Sequence, residues 1–222
     1  MLKRTIAIIF LAVLAFYASG AAYRPSSSDL ARPDELPVIG KWMIAPSNKP
    51  ANWLGIKFEG KEMREPINIV IVDSISRTPG QAIARIFRYC AKAGYRDRRG
   101  HSSGYSGYIG GSLYAQIPRK RGHAFSNRPY EMGNDHGRIF GPYKSGSMFY
   151  FTGAFSREVL GRMGRGITHK YGSFRFARNE FADQVTRKTE LQISSYVFLD
   201  NKISSGALTT GDHDGYAIVL QN

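Results

Sequence analysis

The sequence predicts an α+β fold, a two-layer sandwich in which a mostly antiparallel sheet carries two helices on one face. Three observations indicate it. Residues 67–73 form an apolar, β-branched run, two segments begin with a helix-capping residue and continue with helical periodicity, and the other apolar segments are short enough for strands. The predicted order is β-α-β-β-β-α-β-β. Helices separated by several strands favour a meandering antiparallel sheet over repeated βαβ units.

The first predicted elements are a central strand and the helix that follows it. Residues 67–73 (INIVIVD) are nearly apolar throughout, as in a strand buried on both faces. Thr78 is a suitable N-cap, Pro79 fits the first helical position, and Gly94 ends the helix. The apolar face of this helix has helical spacing and consists of Ile83, Ile86, Phe87 and Cys90.

The rest of the chain is predicted to hold several strands and a second helix. Residues 100–143 are dense in Gly, Ser, Tyr and His. Ser173 is placed to cap a helix whose apolar stripe comprises Phe174, Ala177, Phe181 and Val185. Further strands are predicted near residues 108–117, 136–143, 148–154, 191–199 and 216–220.

The N-terminus has the pattern of a secretory signal peptide, which we place at residues 1–22. Lys3 and Arg4 precede an apolar run at residues 6–16 that is short for a membrane span. Small residues follow it, and cleavage after Gly20 or after Ala22 fits their pattern. The alternative is an uncleaved N-terminal anchor. No later segment approaches a membrane span, so we expect a periplasmic or secreted protein without a transmembrane segment after cleavage.

The mature chain is expected to be one basic domain with a lead-in. Residues 23–50 are rich in Pro, Ser and charge and predict an extended, poorly ordered segment, whereas residues 51–222 form the domain. Cys90 is the single cysteine, which excludes an internal disulfide and is expected in the core.

The formal charge of the chain is +14. In an exported protein this charge favours an anionic envelope lipid or glycan as partner, and no nucleic acid is expected. Charge that serves only solubility is the alternative.

All five histidines lie in polar stretches of the sequence, and His136 has the most informative neighbour. If residues 136–143 form a strand, His136 and Arg138 point to the same face. A histidine and an arginine on one face can hold a phosphate or carboxylate, the arginine by two parallel hydrogen bonds. The alternative is a charged pair that faces solvent.

A second candidate group is Asp212, His213 and Asp214. Two carboxylates beside an imidazole suit acid–base chemistry, with His136 as a further catalytic histidine. The same side chains, together with His136 or His169, could hold a metal ion. An ordinary polar hairpin turn is the other interpretation, since Gly flanks the group on both sides. The sequence indicates no particular cofactor.

The glycine-rich stretch that begins at His101 offers backbone N–H groups to an anion, with His101 and Ser103 as candidate ligand-binding residues. His101-x-Ser103 matches half of the paired motif of two-histidine phosphoesterases, but the second copy is missing, which excludes that family. A serine hydrolase is not supported either, because no Gly-x-Ser-x-Gly motif follows a predicted strand.

Several short segments together resemble the LssY C-terminal domain of bacterial envelope proteins, over about residues 66–185. They are residues 66–72, 93–95, 136–138, 153–157, 168–169 and 177–179. The resemblance implies an envelope setting and phosphate-bearing ligands, but no activity. Lys170 and the four residues after it replace the acidic, proline-bearing segment usual in that family, and the family's membrane spans are absent from this sequence.

Three functions are compatible with these patterns. The first is a basic exported domain that binds a phosphate- or carboxylate-bearing envelope ligand. The second is a periplasmic hydrolase, metal-assisted or not, that acts on phosphate or glycan esters and uses the catalytic candidates named above. The third is a secreted toxin or effector. The binding pocket expected for the first function is lined by His136, Arg138, His169 and Arg178.

Overall fold

The computed structural model describes residues 23–164 and 166–222. The predicted signal peptide therefore lies outside the described residues. The α+β class is confirmed, since two α-helices accompany a strand-rich chain. Among the described residues, neither helix combines the length and the apolar character that crossing a membrane requires.

The two helices are α1 (Pro79–Lys92) and α2 (Phe174–Lys188), and a 3-10 turn covers Ser27–Asp29. The strands are β1 (Leu30–Ala31), β2 (Ile39–Gly40), β3 (Glu62–Met63), β4 (Ile69–Asp73), β5 (Arg96–Arg99), β6 (Ser106–Ile109), β7 (Ser112–Ile117), β8 (His123–Ser126), β9 (Asn134–Ser145), β10 (Met148–Met163), β11 (Gly166–Ser173), β12 (Gln192–Phe198), β13 (Leu208–Thr209) and β14 (Tyr216–Gln221).

Twelve of these strands form one sheet, and its centre is the long hairpin of β9 and β10. The order along the main path is β1-β2-β6-β7-β9-β10-β4-β14-β12. β11 pairs with β10, and β8 joins β5 to β9. Strands β4 and β14 pair in parallel, whereas the neighbours of β10 run antiparallel to it.

Both helices begin as the sequence predicts. The Thr78 side chain accepts a hydrogen bond from the Gln81 N–H at 3.2 Å, and the Ser173 side chain accepts one from the Phe176 N–H at 2.7 Å. The predicted stripe of α2 is buried in full. On α1, Ile86 and Cys90 of the predicted stripe are buried and Ile83 and Phe87 are partly buried, while Ala82 and Tyr89 complete the buried face. Chain-local capping and periodicity are therefore sufficient to define both helices.

Alternation along β4 divides the core. Ile69 and Ile71 share a buried cluster with residues of both helices, whereas Val70 and Val72 belong to a second cluster. The second cluster includes Ile39 and other residues of the segment predicted as a lead-in, among them the fully buried Met43. Segment 23–50 thus contributes strands β1 and β2 and core side chains, because its few apolar residues find partners distant in sequence.

The strand predicted near residues 108–117 is interrupted by a tight turn. Gly110 and Gly111 have φ angles of 57° and 94°, and they connect β6 to β7 as a hairpin. Two consecutive positive φ values are typical of the glycine-rich turns that reverse a chain between antiparallel strands. The single strand predicted at residues 108–117 is therefore wrong at this glycine pair, where the chain reverses.

Candidate functional site

Several of the predicted polar residues meet in one cavity of about 160 Å³, which we call the histidine cavity. Five of the residues that line it carry a carboxyl, imidazole or guanidinium group, namely Glu65, His101, His136, Arg138 and Glu158. Its other lining residues are Trp53, Leu54, Gly100, Ser102 and Tyr130. A concave site with convergent polar groups is the usual form of a ligand-binding site.

The hairpin of β9 and β10 positions the floor of the cavity. His136 lies opposite Ser156, and Arg138 lies opposite Ala154. Because side chains alternate along a strand, His136 and Arg138 point to one face and Ile139, which packs with the helices, points to the other. The predicted juxtaposition of His136 and Arg138 is present, and the small Ala154 leaves room beside the arginine.

The rings of His101 and His136 stack in the cavity wall with their centroids 4.6 Å apart. Burial, followed by the nearby charge of Arg138, lowers the pKa of His101 to about 4, and burial also lowers the pKa of His136 well below its ordinary value. Both rings are therefore neutral near pH 7. The Nε2 atom of His101 is buried and has no hydrogen-bond partner among the described residues.

Asn134 fixes the ring of His136. Its amide nitrogen donates to the Met132 carbonyl at 3.0 Å, so its oxygen faces His136 Nδ1 at 3.2 Å. An amide oxygen only accepts, and His136 must therefore carry its proton on Nδ1. Its Nε2 then carries a lone pair, which accepts a long hydrogen bond of 3.4 Å from the Ser156 hydroxyl.

Glu158 closes the cavity from β10. Its Oε1 lies 3.9 Å from His136 Nε2, and its Oε2 lies 2.9 Å from His169 Nδ1 on β11. This approach does not have the alignment of a hydrogen bond, and His169 Nδ1 has no hydrogen-bond partner among the described residues. Burial raises the pKa of Glu158, and the neighbouring His169 opposes that shift. The His169 ring also stacks on Tyr130 with centroids 4.3 Å apart.

Arg138 is held by a loop instead of by a carboxylate. Its Nη2 donates to the Ser102 carbonyl at 2.9 Å and to the Ser102 hydroxyl at 3.0 Å, and its guanidinium lies 4.7 Å from the Tyr105 ring centroid. Within the described residues no carboxylate oxygen forms an ion pair with it. Arg138 is 3 % exposed and lines the cavity, so its charge faces the cavity rather than bulk water.

Glu65 is the second buried carboxylate of the cavity. Burial raises the pKa of Glu65 to about 7, while the positive charge of Arg138 acts in the opposite direction. A carboxyl group with this pKa exists in both protonation states near neutral pH. It can therefore accept or donate a proton at the pH at which most proteins work.

The group of Asp212, His213 and Asp214 has other contacts. Asp212 accepts hydrogen bonds from the N–H groups of Phe174 and Arg175 at the start of α2, and from the hydroxyls of Tyr171 and Ser173. These contacts lower the pKa of Asp212 despite its partial burial. The carboxylate thus stabilises the helix N-terminus.

Asp214 and His213 are also engaged. Asp214 binds Arg178 through two hydrogen bonds of 2.7 and 2.9 Å, and Arg178 further donates to the Tyr216 carbonyl. His213 Nε2 lies 2.7 Å from the Asn201 amide oxygen. The structure therefore brings His101, His136, Arg138 and His169 together, and it places Arg178 with Asp214 in the other group.

Ser103, predicted with His101 to bind a ligand, instead accepts a hydrogen bond from the Gly122 N–H at 2.9 Å, and its neighbour Ser102 lines the cavity. Sequence reasoning missed Glu65 and Glu158. For Glu158 a signal exists, because Ser156 two residues before it is also polar, and alternation along a strand places both side chains on one face. Glu65 follows Arg64 in an irregular stretch and carries no comparable pattern.

Among known proteins, no family model matches the chain, and neither the curated proteins nor the solved structures include a match to it.

Proposed function

We propose that the protein binds a phosphate- or carboxylate-bearing ligand in the histidine cavity, with Arg138 as the principal anion-binding group. The observation that carries the proposal is a buried arginine that lines a cavity and forms no ion pair with any described carboxylate. Glu65 and Glu158 interact with the Arg138 charge without a direct ion pair. Burial of a charge without such a pair costs free energy, and an anion bound to the guanidinium would lower that cost.

The contacts of Arg138 support recognition of a small group. Ser102 accepts hydrogen bonds from one edge of the Arg138 guanidinium. These contacts fix the orientation of the guanidinium before a ligand binds. The cavity volume of about 160 Å³ corresponds to roughly five water molecules at about 30 Å³ each, so one phosphate or carboxylate fits and a whole lipid or glycan does not. Such a ligand would enter by its anionic group alone.

The binding test uses inorganic phosphate and acetate titrated into the purified protein by calorimetry. We expect Arg138→Lys to weaken phosphate binding by about tenfold, because an ammonium group cannot make two parallel hydrogen bonds. The matched control is Arg162→Lys on the exposed end of β10, which should bind phosphate as the unaltered protein does. Equal affinity of the Arg138→Lys protein would contradict the proposal.

We propose an envelope source for the ligand, as the basic composition and the signal-peptide pattern suggest. Vesicles of phosphatidylglycerol and of phosphatidylcholine, added to the same protein, separate a lipid headgroup from free phosphate. Periplasmic or secreted localisation is tested by fractionation and by N-terminal sequencing of the exported chain, where a mature N-terminus at residue 23 is expected. The likeness to the LssY C-terminal domain remains a prediction and agrees with this setting.

Hydrolysis of phosphate or glycan esters is the second candidate function. Two buried carboxylates, Glu65 and Glu158, line the same cavity as Arg138 and His136, and acid–base catalysis requires titratable groups around a bound anion. Turnover of a generic phosphodiester that is lost in Glu65→Gln would favour the enzyme over the binding domain. Binding of phosphate without turnover favours the first function.

We also propose the layered arrangement in which both helices cover one sheet face and leave the other to the histidine cavity. The support is the shared cluster of Ile69 and Ile71 with α1 and α2, together with the opposite direction of Arg138 relative to Ile139.

A further inference from the structure

We propose that the histidine cavity is also a transition-metal site, in which His101, His136 and Glu158 bind one divalent ion, Zn²⁺ by the nature of the donors. The inference deepens the proposed function and rests on it in one respect, namely that the ion and Arg138 would hold the same anion. It differs from the site that the sequence suggested, since Asp212, His213 and Asp214 take no part.

The spacing of the donor atoms is close to that of a metal centre. One donor atom from each of His101, His136 and Glu158 lies within 4.8 Å of the other two. Around a tetrahedral ion with bonds of about 2.0–2.2 Å, donor atoms lie about 3.4 Å apart. Side-chain movements on the order of an ångström would therefore complete the site, without a change in the β9–β10 hairpin.

Both imidazoles offer a nitrogen to the cavity, as metal-binding histidines do. His101 Nε2 is buried without a hydrogen-bond partner in the described residues, and His136 has its Nε2 lone pair exposed to the cavity because Asn134 holds its proton on Nδ1. A buried nitrogen without a partner is unfavourable unless a ligand occupies the position. A metal ion would give His101 Nε2 a partner and would replace the 3.4 Å contact of His136 Nε2 with the Ser156 hydroxyl.

Contacts behind the ligands match the support that metal sites require. Asn134 orients His136 through Nδ1 and also approaches Glu158 Oε2 at 3.5 Å, while His169 contacts the same oxygen at 2.9 Å. These contacts hold Oε2 and leave Oε1 facing His136. Outer contacts of this kind fix ring tautomers and carboxylate orientation at metal centres.

The donor set selects the class of ion and the chemistry. Two imidazole nitrogens and one carboxylate favour Zn²⁺ or Fe²⁺ over Ca²⁺ or Mg²⁺, which prefer oxygen ligands. Three protein ligands beside a cavity leave a coordination position for an exchangeable group, as in catalytic zinc sites. Arg138 lines the same cavity, so a phosphate or carboxylate oxygen could bind the ion while the guanidinium binds a second oxygen.

The test titrates Zn²⁺ alone into the full chain after treatment with EDTA, by calorimetry, and repeats the measurement with Co²⁺ to record its visible spectrum. We expect one ion per chain and a cobalt spectrum of low coordination number. Glu158→Gln keeps the shape of the side chain but removes its charge. This variant and the separate His101→Ala variant should each weaken the binding of Zn²⁺ by about a hundredfold.

The matched controls are two histidines outside the cavity. His123, which contacts Asp97, and His213, which contacts Asn201, should be replaceable by Ala without loss of Zn²⁺ stoichiometry. Circular dichroism confirms that each variant is folded. Absence of stoichiometric binding, equal affinity in the Glu158→Gln protein, or loss of the ion in His213→Ala but not in His101→Ala would overturn the inference.

Phosphate titrations separate the two proposals. We expect phosphate to bind the Zn²⁺-loaded protein at least about tenfold more tightly than the EDTA-treated protein, because the ion adds a second cation. If phosphate binds the EDTA-treated protein and Zn²⁺ does not bind, the metal inference is wrong and the proposed function stands. If Zn²⁺ binds through His101 and Glu158 but phosphate binds neither form, the proposed function is wrong and the metal site stands.

Discussion

Two arginines of this protein are almost equally buried, Arg138 at 3 % exposure and Arg178 at 2 %, yet their surroundings differ. The guanidinium of Arg178 is saturated by Asp214, the Tyr216 carbonyl and the Asn179 amide oxygen. Arg138 contacts Ser102 and an aromatic ring and has no described carboxylate in an ion pair. Burial alone does not identify a functional charge, whereas the absence of a charge partner beside a cavity does.

The same contrast separates the two histidine groups. Asp212 and Asp214 are occupied by a helix N-terminus and by an arginine, so their charges stabilise the fold. In the histidine cavity, His101 has a nitrogen without a hydrogen-bond partner in the described part of the chain, and Glu65 is buried among other titratable groups. The carboxylates of Asp212 and Asp214 thus already have their hydrogen-bond partners, whereas a ligand in the histidine cavity would supply partners that the fold does not.

The largest expected effect is seen when each arginine is replaced by Met in a separate variant and the unfolding free energies of the two variants are measured in urea. Arg178→Met leaves the Asp214 carboxylate without its partner and should destabilise the protein by about 3 kcal/mol. Arg138→Met removes a charge that forms no ion pair with a described carboxylate and should cost less than about 1 kcal/mol. Equal losses in the two variants would abolish the distinction between structural and functional arginine.

Substitution of Glu65 tests whether the buried carboxylate of the histidine cavity destabilises the folded protein. Its folded pKa of about 7 lies above its ordinary value of 4.5, so the folded state binds the proton more tightly than the unfolded state. This contribution to stability is complete below pH 4.5 and is lost as the pH rises through 7.

In EDTA, Glu65→Gln should therefore gain stability relative to the unaltered protein between pH 5 and pH 8, by on the order of 2 kcal/mol. Urea unfolding at the two pH values measures it. A difference in stability between Glu65→Gln and the unaltered protein that is the same at pH 5 and at pH 8 would refute this cause.

Asp212→Ala examines the other side of the comparison. The substitution removes the acceptor for two N–H groups at the start of α2 and for two hydroxyls, so we expect a loss of about 1–2 kcal/mol in unfolding free energy. Binding of phosphate and of Zn²⁺ should not change. A substantial loss of ligand binding in a folded Asp212→Ala protein would instead place Asp212 in the functional site.

The smallest expected effect distinguishes the neighbouring serines. Ser103→Ala loses the hydrogen bond from the Gly122 N–H and should cost about 1 kcal/mol of stability without changing phosphate affinity. Ser102→Ala removes a hydroxyl that accepts from Arg138 and should lower phosphate affinity by a few fold at similar stability. The reverse assignment of effects would show that Ser103, as the sequence suggested, contacts the ligand.

Local chemistry made much of this fold predictable. Thr78 and Ser173 cap the helices because their hydroxyls accept from N–H groups three residues away, and the stripe of α2 follows from helical periodicity alone. The pairing of His136 with Arg138 was likewise predictable, because alternation along a strand fixes which side chains share a face. By contrast, the Gly110–Gly111 reversal was missed although its signal was present in the sequence.

The sequence by itself determined the α+β class, both helix starts and the shared face of His136 and Arg138, because these depend on interactions between residues close in the chain. Only the tertiary structure decided that His101 stacks on His136, that Glu158 joins them, and that Asp212 and Asp214 are already bound. The physical reason is that a side chain becomes available for a ligand when folding leaves it without a partner. That condition depends on residues far apart in sequence, and no local pattern reports it.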